Sequence, residues 1–366
     1  MAEYVFEFLL LLLLVLAAYL VYERIISGGK KPESTVYVDA LCDLLDGRQE
    51  AAFTKLRQVV AEDANNLDAY LRLGRILREN NQPQRALQVH KDLTLRSGLS
   101  KSERGAILRE IASDCLALND PTTAESALRE KIDIDKNDHW GHTKLLALQE
   151  KAQQWEAAYD TAVEILKLEG GKSKKPLAHY KHQLGEQLFR QREYHKARVA
   201  YKEAIGLDQG LVAAYLAIGD SYYEEKRFED AVTFWNKLIT AVPDQAHRVI
   251  NRLKKTLYEL GRYGEIQSIC ELILEHSPKN VEAGRALAEF YEKKGDIDLA
   301  LEVKEKILED HPEDHTAAID LIRLYLERGD YGRAGALVRS FERRREQHPQ
   351  KSSGSTDESP VHGAGA

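Results

Sequence analysis

The 366-residue chain carries 52 Lys and Arg against 59 Asp and Glu, which gives a formal net charge of −7 at pH 7. This balance disfavours a nucleic-acid-binding protein, because such proteins need a basic surface to displace the counterions of phosphate groups. With 43% apolar residues the chain can offset the conformational entropy of folding, and its 9 Pro and 30% charged residues are typical of a helical protein.

Residues 1–32 predict a membrane anchor followed by a short hinge. The stretch 4–22 is apolar except for Glu7, and its length is close to the roughly 20 residues that a helix needs to cross a bilayer. A cleaved signal peptide is the alternative, but such peptides begin with basic residues, whereas this chain begins with Glu3 and Glu7. We therefore predict a single uncleaved transmembrane helix.

The charges that flank the apolar stretch predict its orientation. Arg24, Lys30 and Lys31 follow it, and no Lys or Arg precedes it. Because basic loops stay on the cytoplasmic side of a bacterial membrane, the N-terminus is expected outside and the rest of the chain in the cytoplasm.

The residues after the hinge contain a repeat of 34 residues. In the clearest pair of repeats, Gly185, Ala197 and Tyr201 recur as Gly219, Ala231 and Trp235. A small residue at position 8, Ala at position 20 and a large residue at position 24 resemble the tetratricopeptide repeat, a hairpin of two helices. Extending this register over residues 33–348 predicts repeats that start at Glu33, Leu67, Gly105, His139, Ala178, Val212, His247, Val281 and His315.

The spacing of small residues has a packing reason. Two helices of a hairpin approach closely only where the crossing point carries small side chains, and one hairpin cannot bury its apolar face without a neighbour. Position 20 is Ala in eight of the nine repeats. We predict an all-α chain, a transmembrane helix followed by an α-solenoid of about nine hairpins, and a disordered polar tail over residues 349–366.

The sequence contains no recognisable catalytic or metal-binding motif. Phosphate-binding glycine loops, G-x-S-x-G and H-E-x-x-H are missing, and no two of the 3 Cys form a C-x-x-C pair. Three histidine pairs lack the further ligands that a metal needs, so packing or partner binding is the preferred interpretation of His139/His142, His179/His182 and His311/His315. We predict no enzyme activity, metal, cofactor or small-molecule substrate.

The predicted binding surface is a concave groove lined by the first helix of each repeat, where positions 2, 5, 9 and 12 point inward. Extended concave surfaces are what solenoids use for recognition, and Arg and Tyr are favoured anchors. These positions hold Arg75, Arg78, Arg109, His179, His182, Glu186, Tyr223, Arg248, Asn251, Lys255, Arg285, Glu289 and Arg323.

The anchor, the hinge and about nine repeats resemble the lipopolysaccharide assembly protein B family of Gram-negative bacteria. The similarity covers roughly residues 5–330, and local stretches that carry it are 71–74, 85–86, 90–93, 99–100 and 155–158. The resemblance implies a non-catalytic inner-membrane adaptor for a membrane-bound AAA protease that degrades a deacetylase of lipid A synthesis. In that family a rubredoxin-like metal knuckle with two C-x-x-C pairs follows the repeats, and this chain has no Cys after Cys270.

Two further interpretations stay open. The chain can be a scaffold of cell-envelope assembly with a different protein client, on the other side of the membrane if the orientation is reversed. The other interpretation is an enzyme with an active site hidden between helices, and the missing catalytic motifs disfavour it.

Overall fold

The computed structural model describes residues 35–347. In this range the chain forms 18 α-helices and two 3₁₀ helices, with no strand. The helices divide into an N-terminal unit, up to Lys172, and a C-terminal unit, from Ser173. The predicted transmembrane helix over 4–22 and the predicted tail over 349–366 lie outside the described residues. The division of residues 33–348 into nine repeats with the starts given above stays a prediction.

Four helical hairpins build the N-terminal unit, and each hairpin packs on the next in chain order. Their helices are α1 (Thr35–Leu45), α2 (Gln49–Glu62), α3 (Leu67–Glu79), α4 (Pro83–Thr94), α5 (Lys101–Ala117), α6 (Pro121–Ile134), α7 (His139–Lys151) and α8 (Trp155–Leu168). Between residues 35 and 347, no helix combines the length and the apolar composition that a membrane span requires.

The C-terminal unit stacks five hairpins in the same way. Its helices are α9 (Ala178–Arg190), α10 (Tyr194–Leu207), α11 (Val212–Glu224), α12 (Phe228–Ala241), α13 (Ile250–Glu259), α14 (Glu265–His276), α15 (Val281–Lys294), α16 (Ile297–Asp310), α17 (His315–Arg328) and α18 (Tyr331–Gln347). A 3₁₀ helix, Pro243–Val249, covers the place where the sequence predicts the start of a repeat at His247, and the α-helix there begins only at Ile250.

The small residues lie where the helices of a hairpin cross. The position-20 alanines Ala52, Ala86, Ala124, Ala158, Ala197, Ala231 and Ala300 are completely buried. At position 8, a Cβ on Gly185 would lie 2.4 Å from the Tyr201 ring, and a Cβ on Gly219 would lie 2.1 Å from Nε1 of Trp235. Glycine therefore makes room for the large residue at position 24 of the same hairpin.

Each hairpin turns through a residue with positive φ at position 15 of its repeat. Four of these residues are Gly47, Gly261, Gly295 and Gly329, and the other five are Asn81, Asn119, Gln153, Arg192 and Lys226, with φ between 55° and 60°. Only glycine adopts this left-handed conformation without a steric cost, so the hairpin geometry imposes it on the other residues.

Polar side chains define where several helices start. At α5 the Ser100 hydroxyl accepts from the amide of Glu103 at 3.2 Å, and the Glu103 carboxylate accepts from the Ser100 amide at 2.8 Å. Asp138, Asn280 and Asp314 accept from an amide in the first turn of α7, α15 and α17. These contacts pair helix N–H groups that would otherwise lack a partner.

Candidate functional site

The first helices of the hairpins carry the predicted binding residues, and we call their side chains the first-helix surface. It comprises residues of α1, α3, α5 and α7 in the N-terminal unit and of α9, α11, α13, α15 and α17 in the C-terminal unit, together with Arg248 just before α13. We describe the two units separately.

In the N-terminal unit, α3 is ion-paired to α5. Arg75 Nη2 lies 2.5 Å from Glu110 Oε1, and Arg78 contacts both Glu110 at 2.8 Å and Asp114 at 2.7 Å. Glu110 and Asp114 are buried. Burial alone would raise the pKa of Glu110, but the hydrogen bonds from Arg75 and Arg78 hold it below its ordinary value. Both arginines therefore link two hairpins.

His90 of α4 closes this network from the core side. Its Nδ1 lies 2.5 Å from Asp114 Oδ2, and its Nε2 lies 3.2 Å from the Leu71 carbonyl oxygen. Each ring nitrogen thus lies within hydrogen-bond distance of an oxygen atom of another helix. The ring joins α3, α4 and α5 through one fully buried side chain.

Arg109 of α5 reaches the next hairpin by a different contact. Its guanidinium carbon lies 4.7 Å from the centre of the Trp140 ring of α7. Guanidinium groups stack favourably on the negative face of an aromatic ring, so this contact also connects consecutive first helices.

In the C-terminal unit, His182 and Glu186 of α9 lie next to a buried tyrosine. The Tyr201 hydroxyl donates to Glu186 at 2.8 Å, and the rings of His182 and Tyr201 are 5.5 Å apart. Burial lowers the pKa of His182, although the Glu186 carboxylate at 3.8 Å opposes the shift. His182 is therefore a neutral hydrogen-bonding group near pH 7, while His179 is exposed to solvent.

Asp220 of α11 forms a second half-buried carboxylate on this surface. Arg252 of α13 donates to its two oxygens at 2.6 and 3.0 Å. Burial raises the pKa of Asp220, and the Arg252 hydrogen bond acts against that rise. Asp220 occupies position 9 of its repeat but is not among the residues predicted from the sequence.

Tyr223, Lys255 and Glu259 form a contact between α11 and α13. Lys255 Nζ lies 4.9 Å from the centre of the Tyr223 ring, and the Tyr223 hydroxyl donates to Glu259 at 2.9 Å. Asn251 on α13 and Arg248 in the 3₁₀ helix that precedes it are exposed. This group offers cationic and aromatic atoms to a partner.

The last three first helices are joined by ion pairs. Lys254 contacts Glu289 at 2.5 Å, and Arg285 contacts Asp314 at 2.6 Å. Arg323 lies 2.7 Å from a carboxylate oxygen of α15, that of Glu292. The predicted residues Arg285, Glu289 and Arg323 are thus engaged by the neighbouring hairpin.

Two apolar residues complete the surface on α17. Ile319 and Leu326 are 66% and 47% exposed, at positions 5 and 12 of their repeat. Neither residue is among those predicted from the sequence, which are all polar or aromatic, although the same position rule identifies both.

The histidine pairs do not gather metal ligands in the described part of the chain. His139 contacts Glu169 at 3.0 Å, and His142 and His311 each contact a backbone carbonyl, at 3.1 and 2.9 Å. Between residues 35 and 347, no group of three or more His, Cys, Asp or Glu side chains is placed to hold a metal ion.

Two stretches match family models described as tetratricopeptide repeats, residues 182–246 and residues 257–314. The chain contains tetratricopeptide repeats. It is 23% identical to "Lipopolysaccharide assembly protein B" of Escherichia coli (strain K12) over 312 residues, which cover 84% of this chain and 80% of that protein. It is also 23% identical to the protein of that name from Haemophilus influenzae over 305 residues, 79% of this chain and 76% of the relative. The similarity predicted from the sequence is confirmed.

Solved structures also align with this chain. "Structure of Naa15/Naa10 bound to HypK-THB" gives a TM-score of 0.48 at 13% identity, covering 80% of this chain and 44% of the other. The "TPR2AB-domain:pHSP90-complex of yeast Sti1" gives a TM-score of 0.33 at 13% identity, covering 80% and 96%.

Proposed function

We propose that this chain is a non-catalytic adaptor that binds protein partners through its first-helix surface and acts in lipopolysaccharide assembly. The observation that carries the proposal is the 23% identity to lipopolysaccharide assembly protein B over 84% of the chain. Tetratricopeptide repeats are protein-interaction modules, and the two matched stretches support a scaffold.

The finer part of the proposal concerns the partners and the place. We infer that the chain is held in the bacterial inner membrane by residues 4–22, with its repeats in the cytoplasm. There it would act with a membrane-bound AAA protease on an enzyme of lipid A synthesis. The charges around the apolar N-terminal stretch and the family resemblance support this arrangement. A reporter fused after residue 348 tests the orientation. Reporter activity only in the periplasm would show that the repeats lie outside the cytoplasm and would refute the proposed orientation.

The exposed part of the C-terminal first-helix surface is the preferred contact region. Arg248, Asn251 and Lys255 are exposed, and Lys255 lies against the Tyr223 ring. Several other predicted residues are ion-paired to a neighbouring hairpin, namely Arg75, Arg78, Arg285, Glu289 and Arg323. Tyr and Arg are enriched among the residues that contribute most of the binding energy in protein interfaces, and this region offers Tyr223 and Arg248.

Site-specific crosslinking tests this contact region. A photo-crosslinking amino acid at Asn251 should capture a defined partner in living cells, and the same group at exposed Lys202 on second helix α10 is the matched control. The double substitution Arg248→Glu and Lys255→Glu should abolish the Asn251 product. Equal capture from positions 251 and 202, or capture that survives the charge reversal, would refute the proposed surface.

Depletion of the chain tests the pathway. If the chain controls proteolysis of a lipid A enzyme, the half-life of the deacetylase must change when the chain is depleted. The double substitution Arg248→Glu and Lys255→Glu must reproduce that change. An unchanged half-life, together with a crosslinked partner from another envelope process, would favour the alternative of a general envelope scaffold.

A further inference from the structure

A cavity of about 210 Å³ opens to solvent beside α15. Helices α14, α15 and α16 and the loop before α15 enclose it, and its inner wall is mostly apolar. The wall includes Leu274, Val281, Leu287, Val303 and Ile307. None of these residues belongs to the predicted binding surface.

Two of the positions that line the cavity carry aromatic rings in another repeat. Tyr215 in α11 is buried, and its ring lies 6.4 Å from the ring of Phe234 in α12. Two repeats further along the chain, the corresponding residues are Gly284 and Val303. Both line the cavity, so the loss of two rings accounts for the space.

A side chain at position 284 would collide with the side chain of Ile307 unless that side chain moved. A Cβ on Gly284 would lie 2.8 Å from Cδ1 of Ile307, which is closer than carbon atoms approach each other. The ring of a partner can enter the cavity through its open side.

The polar rim suits a peptide that carries such a ring. His311 Nε2 donates to the Lys279 carbonyl at 2.9 Å, and Lys279 Nζ lies 3.3 Å from Asp310, so this side of the rim is held in place. On the other side Glu302 and Lys306 are exposed. Their carboxylate and ammonium groups can accept from and donate to the backbone amide groups beside an inserted side chain.

We propose that this cavity binds a phenylalanine or tyrosine side chain of a protein partner. An apolar cavity of about 150 Å³ is large enough to take up benzene, so the volume here admits a phenyl or phenol ring. Aromatic anchors that enter a pocket are typical of energetically dominant interface residues. The inference rests on the proposed adaptor function and adds a second contact site with a defined chemistry.

Methyl NMR of the full 366-residue chain in lipid nanodiscs tests the pocket, with N-acetyl-phenylalaninamide as the probe. Ring currents should shift the methyl signals of Leu274, Leu287 and Ile307 upfield with saturation. Val303→Phe introduces at position 303 the ring that Phe234 provides in the repeat starting at Val212. This ring should occupy the cavity and weaken binding of the probe by about tenfold or more. Val199→Phe, at an exposed valine of α10, is the matched control and should leave the shifts intact.

Three outcomes would overturn the inference. They are a missing shift at all three methyls, binding that is unchanged in Val303→Phe, and equal binding of N-acetyl-leucinamide or N-acetyl-alaninamide. If circular dichroism shows that Val303→Phe unfolds the chain, Val303→Leu replaces it and should weaken binding in the same direction. Crosslinking from Asn251 is independent of the pocket. A negative NMR result therefore leaves the proposed adaptor function standing, and a negative crosslinking result does not change the outcome of probe binding.

Discussion

Gly219→Ala tests the close approach of two helices on which the hairpin depends. The added methyl would lie 2.1 Å from Nε1 and 2.3 Å from Cδ1 of Trp235. Trp235 is 1% exposed, and its Nε1 donates to the Leu216 carbonyl at 3.2 Å. The ring therefore has to move within a closely packed core, and the hydrogen bond is strained at the same time.

The expected loss is about 1 kcal/mol of unfolding free energy. Overpacking of a core costs roughly 1–3 kcal/mol, and the better helix propensity of alanine returns roughly 0.5–1 kcal/mol. Gly206→Ala is the matched control, because Gly206 lies in α10 of the same unit and a Cβ at that residue would meet no atom within 4 Å. That variant should be slightly more stable than the wild type.

Tryptophan fluorescence during urea unfolding measures the difference. The chain has 3 Trp, and Trp140→Phe with Trp155→Phe leaves Trp235 as the single reporter in the C-terminal unit. A midpoint for Gly219→Ala that equals or exceeds that of Gly206→Ala would refute the packing argument. Trp235→Leu provides a second check, because smaller bulk at position 235 should make Gly219→Ala less harmful, with a coupling of about 1–2 kcal/mol.

Three further outcomes are expected. The pKa of Glu110 is below its ordinary 4.5 in the folded chain, so its stabilising contribution is present above about pH 4.5 and is lost as the pH falls through the folded value. Glu110→Gln should cost about 3 kcal/mol of unfolding free energy at pH 7 and should weaken the fall of the urea midpoint at acidic pH. An unchanged fall of the midpoint at acidic pH would contradict the ion network. Arg192 has a φ of 60°, so Arg192→Gly should be at least as stable as the wild type and Arg192→Val about 1–2 kcal/mol less stable in thermal unfolding; equal melting temperatures would refute the strain. Burial raises the pKa of Cys270 to about 12, so iodoacetamide at pH 8 should label exposed Cys42 and spare Cys270 in intact-mass and peptide measurements, and equal labelling of the folded chain would contradict that burial.

Hairpin packing could be predicted from the sequence because most repeats carry the same types of residue at the same positions. Small residues at positions 8 and 20 and a large residue at position 24 recur because every crossing point has the same limited volume. The structure places Gly74, Gly185 and Gly219 against His90, Tyr201 and Trp235. The left-handed turn residue is harder to recognise, since only four of the nine hairpins between residues 35 and 347 carry glycine there.

The binding surface could be predicted only in part. The position rule places Arg75 and Arg78 on the first helix of their hairpin, but it does not say that Glu110 and Asp114 of the next hairpin hold them. Those partners lie 32 to 36 residues further along the chain. Their distance depends on how one hairpin is rotated on the next, which is a property of the packed units.

The sequence by itself determined the helical hairpin and its period, because both follow from local spacing that is repeated along the chain. The resemblance to the lipopolysaccharide assembly protein B family comes from local stretches such as 71–74 and 155–158. Only the tertiary structure decided which charges remain accessible, as Arg248 and Lys255 do, and where packing leaves a cavity, as it does beside Gly284. Both outcomes depend on contacts between consecutive hairpins, and such contacts are set by the shapes and orientations of whole helices.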